Sequence, residues 1–318
     1  MDISCKYTKT NKKIYYKISN NKTIKNNKLI NHINSIKIPP AYSNIKISSD
    51  TNNKILAIGI DSKGRKQYIY NKNFIENQEK IKFNDLILFG KNIPKIRRDI
   101  NKIINYSINN NIISKETLIS IVLYLIDKCN FRVGTEKYKL LYNSYGATTI
   151  NSSHIFPSNN SIKIEFIGKK GILNTSIVNN SNINTLLNKI LNLNRDNVYF
   201  FSFIDKNKIK RITEIDINNF LKKYNPKITC KMFRTWNANY ILIKELSKNT
   251  NPNIHINQFI KKSADALHNT LNVCKQKYIY KNIIDSYKNN PNEFIETLDR
   301  LTKNKTNTDN ILIYFLRK

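Results

Sequence analysis

The sequence predicts an α+β protein, with a small β-rich N-terminal domain over residues 1–76 and a larger, mainly α-helical domain over 77–318. Three observations carry that expectation. Short alternating apolar stretches separated by turn-forming strings fill the chain up to Tyr70. A polar segment from Asn71 to Glu79 suits a hinge, and beyond Lys80 apolar residues recur mostly at helical spacing. A chain of 318 residues is also long enough for roughly two domains.

Taken in order, the opening to about residue 37 is rich in Lys, Asn and Ile, and Lys13 to Ile18 alternates as an edge strand would. Ile38-Pro39-Pro40-Ala41-Tyr42 reads as a stiff turn, Ile45 to Ser48 as a strand, Asp50 to Asn53 as a polar turn and Leu56 to Ile60 as a strand. The turn Asp61-Ser62-Lys63-Gly64-Arg65 leads into a strand, Lys66 to Tyr70, from which Gln67, Tyr68 and Tyr70 can reach outward, the two tyrosines on one face. In the second domain Ser114 can cap a helix whose apolar positions are Leu118, Val122, Leu125, Ile126 and Cys129, and which delivers Arg132 at its end. Ile162, Ile164 and Phe166 alternate into the turn Gly168-Lys169-Lys170-Gly171, and the return through Leu173, Thr175 and Ile177 makes a hairpin with Lys169 at its tip. Thr213 opens a capping box with Asp216 ahead of a helix through Phe220 and Leu221. Met232, Phe233, Trp236, Tyr240 and Ile243 mark the buried face of a further helix, with Arg234 off that face.

Charge narrows the partner. Lys+Arg number 54 against 22 Asp+Glu, a formal net charge of +32, which draws the chain to polyanions and to nucleic acid first. Lys, Asn and Ile have A/T-rich codons, so part of that charge follows a base-composition bias. The bias does not explain arginine, present only at 65, 97, 98, 132, 195, 211, 234, 300 and 317. Its planar fork matches phosphate oxygens as a lysine ammonium does not. The glycines number only seven, and six of them adjoin the strings discussed below. Cys5, Cys129, Cys230 and Cys274 lack paired spacing, and His32, His154 and His255 lack ligand spacing, so neither a disulfide framework nor a metal site is expected. The opening MDISCKYTKT carries no apolar signal segment, and the longest apolar run, Leu118 to Ile126, is too short to span a bilayer. A soluble protein of a reducing intracellular compartment is expected.

Seven strings stand in a distinctive order: Ile38 to Tyr42, Gly59 to Tyr70, Phe131 to Tyr138, Gly146 to Thr149, Phe166 to Lys169, Lys231 to Ala238 and Leu267 to Ile279. In that order and at those spacings the chain from residue 38 onward resembles the type IB DNA topoisomerases of the poxvirus, giant-virus and bacterial kind. The resemblance implies the tyrosine recombinase/type IB topoisomerase fold for the helical domain. It also implies a catalytic set: Tyr278 as the nucleophile that takes up a 3′-phosphate, Arg132 and Arg234 as clamps on the non-bridging oxygens, and Lys169 as the acid that protonates the departing 5′-oxygen. Asn269 falls nine residues before the tyrosine, where poxvirus members carry a phosphate-donating histidine and bacterial members often asparagine. His268, where relatives usually have glycine, is the reserve candidate, and Leu271 stands where proline is usual. Lys63, Arg65, Gln67, Tyr68 and Tyr70 would face DNA from the N-terminal domain, Lys137 and Tyr138 from the catalytic side. The implied partner is double-stranded DNA, gripped by a monomer closing as a clamp, with no ATP, metal or other cofactor. The A/T-leaning composition fits a large DNA virus, with a virion or cytoplasmic virus factory as its place, and otherwise a nucleus or nucleoid.

The residues alone leave alternatives. Tyr278 is one of 18 tyrosines, with Tyr280 close by, and Lys170 adjoins Lys169. A tyrosine site-specific recombinase would share the nucleophile, but its second arginine usually lies in a His-x-x-Arg string, unlike Lys231-Met232-Phe233-Arg234-Thr235. A non-catalytic architectural DNA-binding protein would explain the charge equally well, yet has no use for an ordered Arg, Lys, Arg, Tyr set.

Overall fold

Period-two sequence becomes sheet in the first of the chain's two units, Met1–Lys82. The computed structural model describes residues 1–7, 13–18, 22–193 and 198–317. It places in this unit β1 (Ile3–Tyr7), β2 (Lys13–Lys17), α1 (Asn27–Ser35), β3 (Ser43–Ile47), β4 (Ile55–Ile60) and β5 (Lys66–Tyr70). The strands form one antiparallel sheet in the order β2-β1-β3-β4-β5, with β2 at an edge. Its small core is built on Ile3, Ile33, Ile45, Ile47 and Ala57. Along β5, Lys66, Tyr68 and Tyr70 are exposed while Gln67 and Ile69 are half-buried. The tyrosines therefore share a face, their ring centroids 6.2 Å apart. Gln67 was expected to reach outward with them; one residue out of step, it belongs to the opposite face of the pleat.

The polar stretch 71–79, expected as a linker, is almost wholly helical. It forms the first turns of α2 (Lys72–Asn109), a helix of 38 residues whose first buried side chain is Phe83. With no face to bury before that point, the segment needs no apolar stripe, and its composition resembles coil. From there Leu86, Phe89, Ile93, Ile96, Ile100 and Ile104 recur at helical spacing and belong to the core of the second unit, Phe83–Lys318.

In that unit α3 (Lys115–Lys128) starts at Ser114, whose hydroxyl accepts from the Thr117 N–H in a capping box. After α4 (Glu136–Tyr142) come β6 (Ile155–Pro157), β7 (Ile162–Ile167) and β8 (Leu173–Val178) in one antiparallel sheet. Helix α5 (Ser181–Leu193) and a hairpin of β9 (Ser202–Asp205) and β10 (Lys208–Arg211) follow. Helix α6 (Glu214–Lys222) opens with the Thr213–Asp216 capping box. The remainder is helical: α7 (Lys231–Leu246), α8 (Asn257–Ala266), α9 (Leu271–Lys277), α10 (Lys281–Asn289), α11 (Pro291–Lys303) and α12 (Thr308–Arg317). The architecture is thus mixed and mostly helical, with small antiparallel sheets.

Helix α7 is enclosed on every side. Phe233, Trp236 and Ile243 are buried as expected, while Met232 and Tyr240 are only half-buried; Arg234, expected off that face, is itself only 4% exposed, and Thr235, Asn237, Asn239 and Leu242 are buried too. Polar groups tolerate such burial only with partners. Among the described residues no helix is long and apolar enough to cross a membrane, and no group of three or more His, Cys, Asp or Glu side chains is placed to hold a metal ion.

Candidate active site

Three helix ends, helix α7 and a hairpin deliver the site. Helix α3 leaves through Cys129 and Asn130, the latter left-handed at φ 54°. The following residues run beside 147–148: Ala147 N–H donates to Arg132 O at 2.8 Å and Thr148 N–H to Val133 O at 2.7 Å. Glycine permits that approach, since a Cβ on Gly146 would lie 2.5 Å from Gly134 N and 2.6 Å from Arg132 O. Helix α8 ends in the same manner. His268 is left-handed at φ 51°, its N–H donates to Asp265 O at 3.0 Å, and Asn269 N–H donates to Ala264 O at 2.9 Å. This pair of bonds is a Schellman cap, in which glycine is the easy occupant and histidine costs on the order of 1 kcal/mol.

Thr270 then caps α9, and Leu271 takes the first helical position, where the fixed φ of proline would fit without loss of a hydrogen bond. Tyr278 ends that helix. Asn239 of α7 grips the backbone around it: Nδ2 donates to Tyr278 O at 2.8 Å, and Oδ1 accepts from Tyr280 N–H at 2.8 Å.

Arg132, Lys169, Arg234 and Tyr278 line one cavity of about 490 Å³, with Tyr138, Glu214 and Lys231 also in its wall. Lys170 does not line it and holds the left-handed position of the hairpin turn, at φ 66°. Neither does Tyr280, whose ring packs 4.3 Å from that of Phe83. Asn269 joins the set through Arg132, whose Nη2 donates to Asn269 Oδ1 at 2.8 Å. A guanidinium has only donors, so the amide oxygen must face it and Nδ2 points elsewhere. That Nδ2 is buried without a partner meeting hydrogen-bond geometry.

Arg234 donates from Nη1 to Asn130 O and from Nη2 to Leu267 O at 2.8 Å. Both carbonyls belong to helix C-termini, where the backbone dipole is negative and favours a cation. The Arg234 Nε is buried without a partner meeting full hydrogen-bond geometry, and the guanidinium carbon stands 5.5 Å from the Tyr278 ring centroid.

Electrostatics follow from that crowding. Burial brings Arg234 down to about 10, the neighbouring Arg132 adds to the lowering and Tyr278 opposes it; the group remains a cation at neutral pH. Burial alone would raise the Tyr278 phenol, but the charges of Arg234 and Arg132, with hydrogen bonding from Arg234, outweigh it and bring the pKa below the ordinary tyrosine value. The Asn269 amide lies near enough to add to the lowering. His268 is lowered too, first by burial and then by Arg234 and Arg132, while its ring lies 6.4 Å from that of Phe131.

The string of the first unit expected to face DNA is organised around Asp61. Its carboxylate accepts from the backbone N–H of Lys63 at 3.0 Å and of Arg65 at 2.9 Å, from Arg65 Nε at 2.8 Å and from Gln67 Nε2 at 2.9 Å. Arg65 chiefly holds that carboxyl well below the usual range. Arg65 and Gln67, expected to face DNA, are thus already engaged, and Asp61 had registered only as a turn residue. Tyr68 and Tyr70 stay 43% and 38% exposed. In the second unit Tyr138 reaches the cavity wall, whereas Lys137 is exposed and does not. Asn130, Asn237 and Asn239 were missed altogether, because in a chain so rich in asparagine none stands out.

Residues 71–310 match the family described as eukaryotic DNA topoisomerase I, catalytic core, and residues 13–61 match the bacterial DNA topoisomerase IB N-terminal domain. The DNA topoisomerase 1B of Acanthamoeba polyphaga mimivirus is 34% identical over 297 residues, covering 89% of this chain and 87% of that protein. DNA topoisomerase 1 of Rabbit fibroma virus (strain Kasza) is 25% identical over 278 residues, 83% of this chain and 82% of the relative. DNA topoisomerase 1B of Vaccinia virus (strain Copenhagen) is 24% identical over 278 residues, 84% of each. A family match across most of the chain and a relative of this identity over nearly its full length place the protein: it belongs to the type IB DNA topoisomerases.

Proposed function

We propose that this protein relaxes supercoiled duplex DNA by cutting and resealing one strand through Tyr278. The phenolic oxygen attacks a backbone phosphorus as its proton passes to solvent water, the bond from phosphorus to the 5′-oxygen breaks, and Lys169 Nζ gives that oxygen a proton, which it regains from solvent. The product is a 3′-phosphotyrosyl ester and a free 5′-hydroxyl. The ester stores the bond energy, so the hydroxyl reverses the attack after the cut strand has swivelled. Arg132 and Arg234 stabilise the charge that gathers on the non-bridging oxygens in the transition state, and Asn269 Nδ2 donates a further hydrogen bond there.

One observation carries this reading. Two buried donors, Arg234 Nε and Asn269 Nδ2, have no partner meeting full hydrogen-bond geometry, while both side chains lie close enough to the Tyr278 hydroxyl to lower its pKa; imperfectly matched buried donors favour an incoming acceptor. An oxyanion entering the cavity satisfies both. Since Oδ1 of Asn269 is taken by Arg132, Asn269 rather than His268 is read as the phosphate donor. In the first unit Tyr68, Tyr70 and Lys63 are read as a second DNA-facing surface, Tyr138 and Lys137 as contacts on the catalytic side, and the protein as a monomeric clamp whose larger unit has the tyrosine recombinase-like fold. Arg65 and Gln67 are read as organisers of that surface through Asp61.

The test is incubation with supercoiled plasmid in chelator without nucleotide, with covalent adducts trapped by detergent and mapped. Relaxation with an adduct at Tyr278 is expected. An adduct at Tyr280, or relaxation without any tyrosyl adduct, would overturn the assignment.

A further inference from the structure

Arg234 is a long, flexible side chain held in a buried place by two carbonyls, and one of those carbonyls is itself held. The carbonyl of Asn130 accepts from Arg234 Nη1, and the side-chain Oδ1 of the same Asn130 accepts from Asn237 Nδ2 at 2.9 Å. Asn237 Nδ2 also donates to Asp127 O at 2.5 Å, a carbonyl in the last turn of α3 that has no intrahelical donor to expect. Asn237 lies three residues beyond Arg234 on α7, hence on the same side of the helix, and is 5% exposed; Asn130 is 7% exposed. The anchor beneath is firm, because the Asp127 carboxylate accepts from Arg97 Nε and Nη2, each at 2.9 Å.

We propose that Asn237 is a positioning residue for the cleavage reaction, acting through Asn130 to fix the Arg234 guanidinium and its spacing from Arg132. The proposal rests on the function argued above. Asn130 is two residues ahead of Arg132, so a single amide ties the loop that carries one arginine to the helix that carries the other. Without it the left-handed turn at Asn130 loses its side-chain tether. The carbonyl can then drift from Arg234, leaving a buried guanidinium with one rail instead of two. Since Arg234 must meet an oxygen whose charge appears only in the transition state, small displacements act on rate and not on DNA affinity.

A simply structural role, closing the C-terminus of α3, predicts lost stability without specific coupling to Arg234. Single-turnover cleavage of a duplex oligonucleotide separates the two, measured for Asn237→Ala and Asn130→Gly alone and in an Arg234→Ala background, alongside non-covalent DNA affinity and thermal unfolding. Glycine at 130 keeps the left-handed backbone and removes only the Oδ1 acceptor, so it decides the matter should Asn237→Ala fail to fold. We expect each single change to slow cleavage about 10- to 100-fold with affinity nearly unchanged, and to slow it less than about twofold further when Arg234 is already alanine. A folded Asn130→Gly protein cleaving at the unaltered rate, or an equal loss in both backgrounds, would overturn the inference. Absence of a tyrosyl adduct from the unaltered protein would instead sink the function on which it rests.

Discussion

The sheet of the first unit and the cavity of the second present their polar groups in opposite ways. On the sheet, Tyr68 and Tyr70 stand in solvent and the Arg65 and Gln67 side chains are already bonded to Asp61. In the cavity, Arg234 is almost wholly buried, and its Nε, like Asn269 Nδ2, has no partner meeting full hydrogen-bond geometry. A ligand on the sheet must compete with water and with existing partners, so each contact there adds little and is screened by salt. In the cavity desolvation has already been suffered during folding, and a charge arriving there meets donors that need no reorganisation. Affinity is therefore spread over many exposed groups, whereas rate is concentrated in a few enclosed ones.

The largest break of that contrast comes from Tyr278→Phe. It should abolish relaxation and the covalent adduct while leaving retention of DNA in a gel-shift assay intact; cleavage that persists would show the nucleophile lies elsewhere. Next, Arg234→Ala should slow single-turnover cleavage by about 10²–10³ with little change in affinity. Arg234→Lys should recover little of it, since one ammonium cannot span two carbonyls and an oxyanion.

The same change sharpens the comparison through pH. Cleavage by the intact protein should rise with pH as the Tyr278 phenol ionises, with a midpoint below the ordinary tyrosine value because Arg234 and Arg132 favour the phenolate over the opposing effect of burial. Removing the Arg234 charge should move that midpoint upward in the pH–rate profile, and a downward shift would contradict the electrostatic account.

Smaller effects follow. Lys169→Ala should slow cleavage of ordinary DNA strongly but spare a substrate with a 5′-bridging sulfur, which leaves without a proton, while Lys170→Ala should leave both rates near normal. Least of all, Tyr68→Ala or Lys63→Ala on the sheet should weaken binding only a few-fold. The lysine change alone should reduce the salt dependence of affinity, by a slope of about 0.9. A sheet substitution that altered cleavage rate as much as Arg234→Ala would erase the distinction between the two regions.

Local signals were legible in the sequence and relational ones were not. The Ser114 and Thr213 capping boxes and the hairpin that carries Lys169 depend on residues a few positions apart, and the residue types declare them. The beginning of α2 was misread because exposed helix and polar linker share a composition until Phe83 supplies a buried face. Burial of Arg234 was invisible for a different reason: it depends on backbone carbonyls of residues 130 and 267, contributed by segments whose side chains give no hint of it. Asp61 escaped because its four bonds converge only once the turn has closed.

The grip of Asn239 on the peptide groups flanking Ile279 has a mechanical meaning. If Tyr278 is the nucleophile as proposed, its ester would be the anchor against which a rotating duplex pulls. Helix α9, with only Cys274 buried, would make a weak mooring. Because the Tyr278 carbonyl and the Tyr280 amide are both fastened to the enclosed helix α7, torque from unwinding DNA would be led into the body of the protein, and the ester would be kept in register for rejoining while the free end turned.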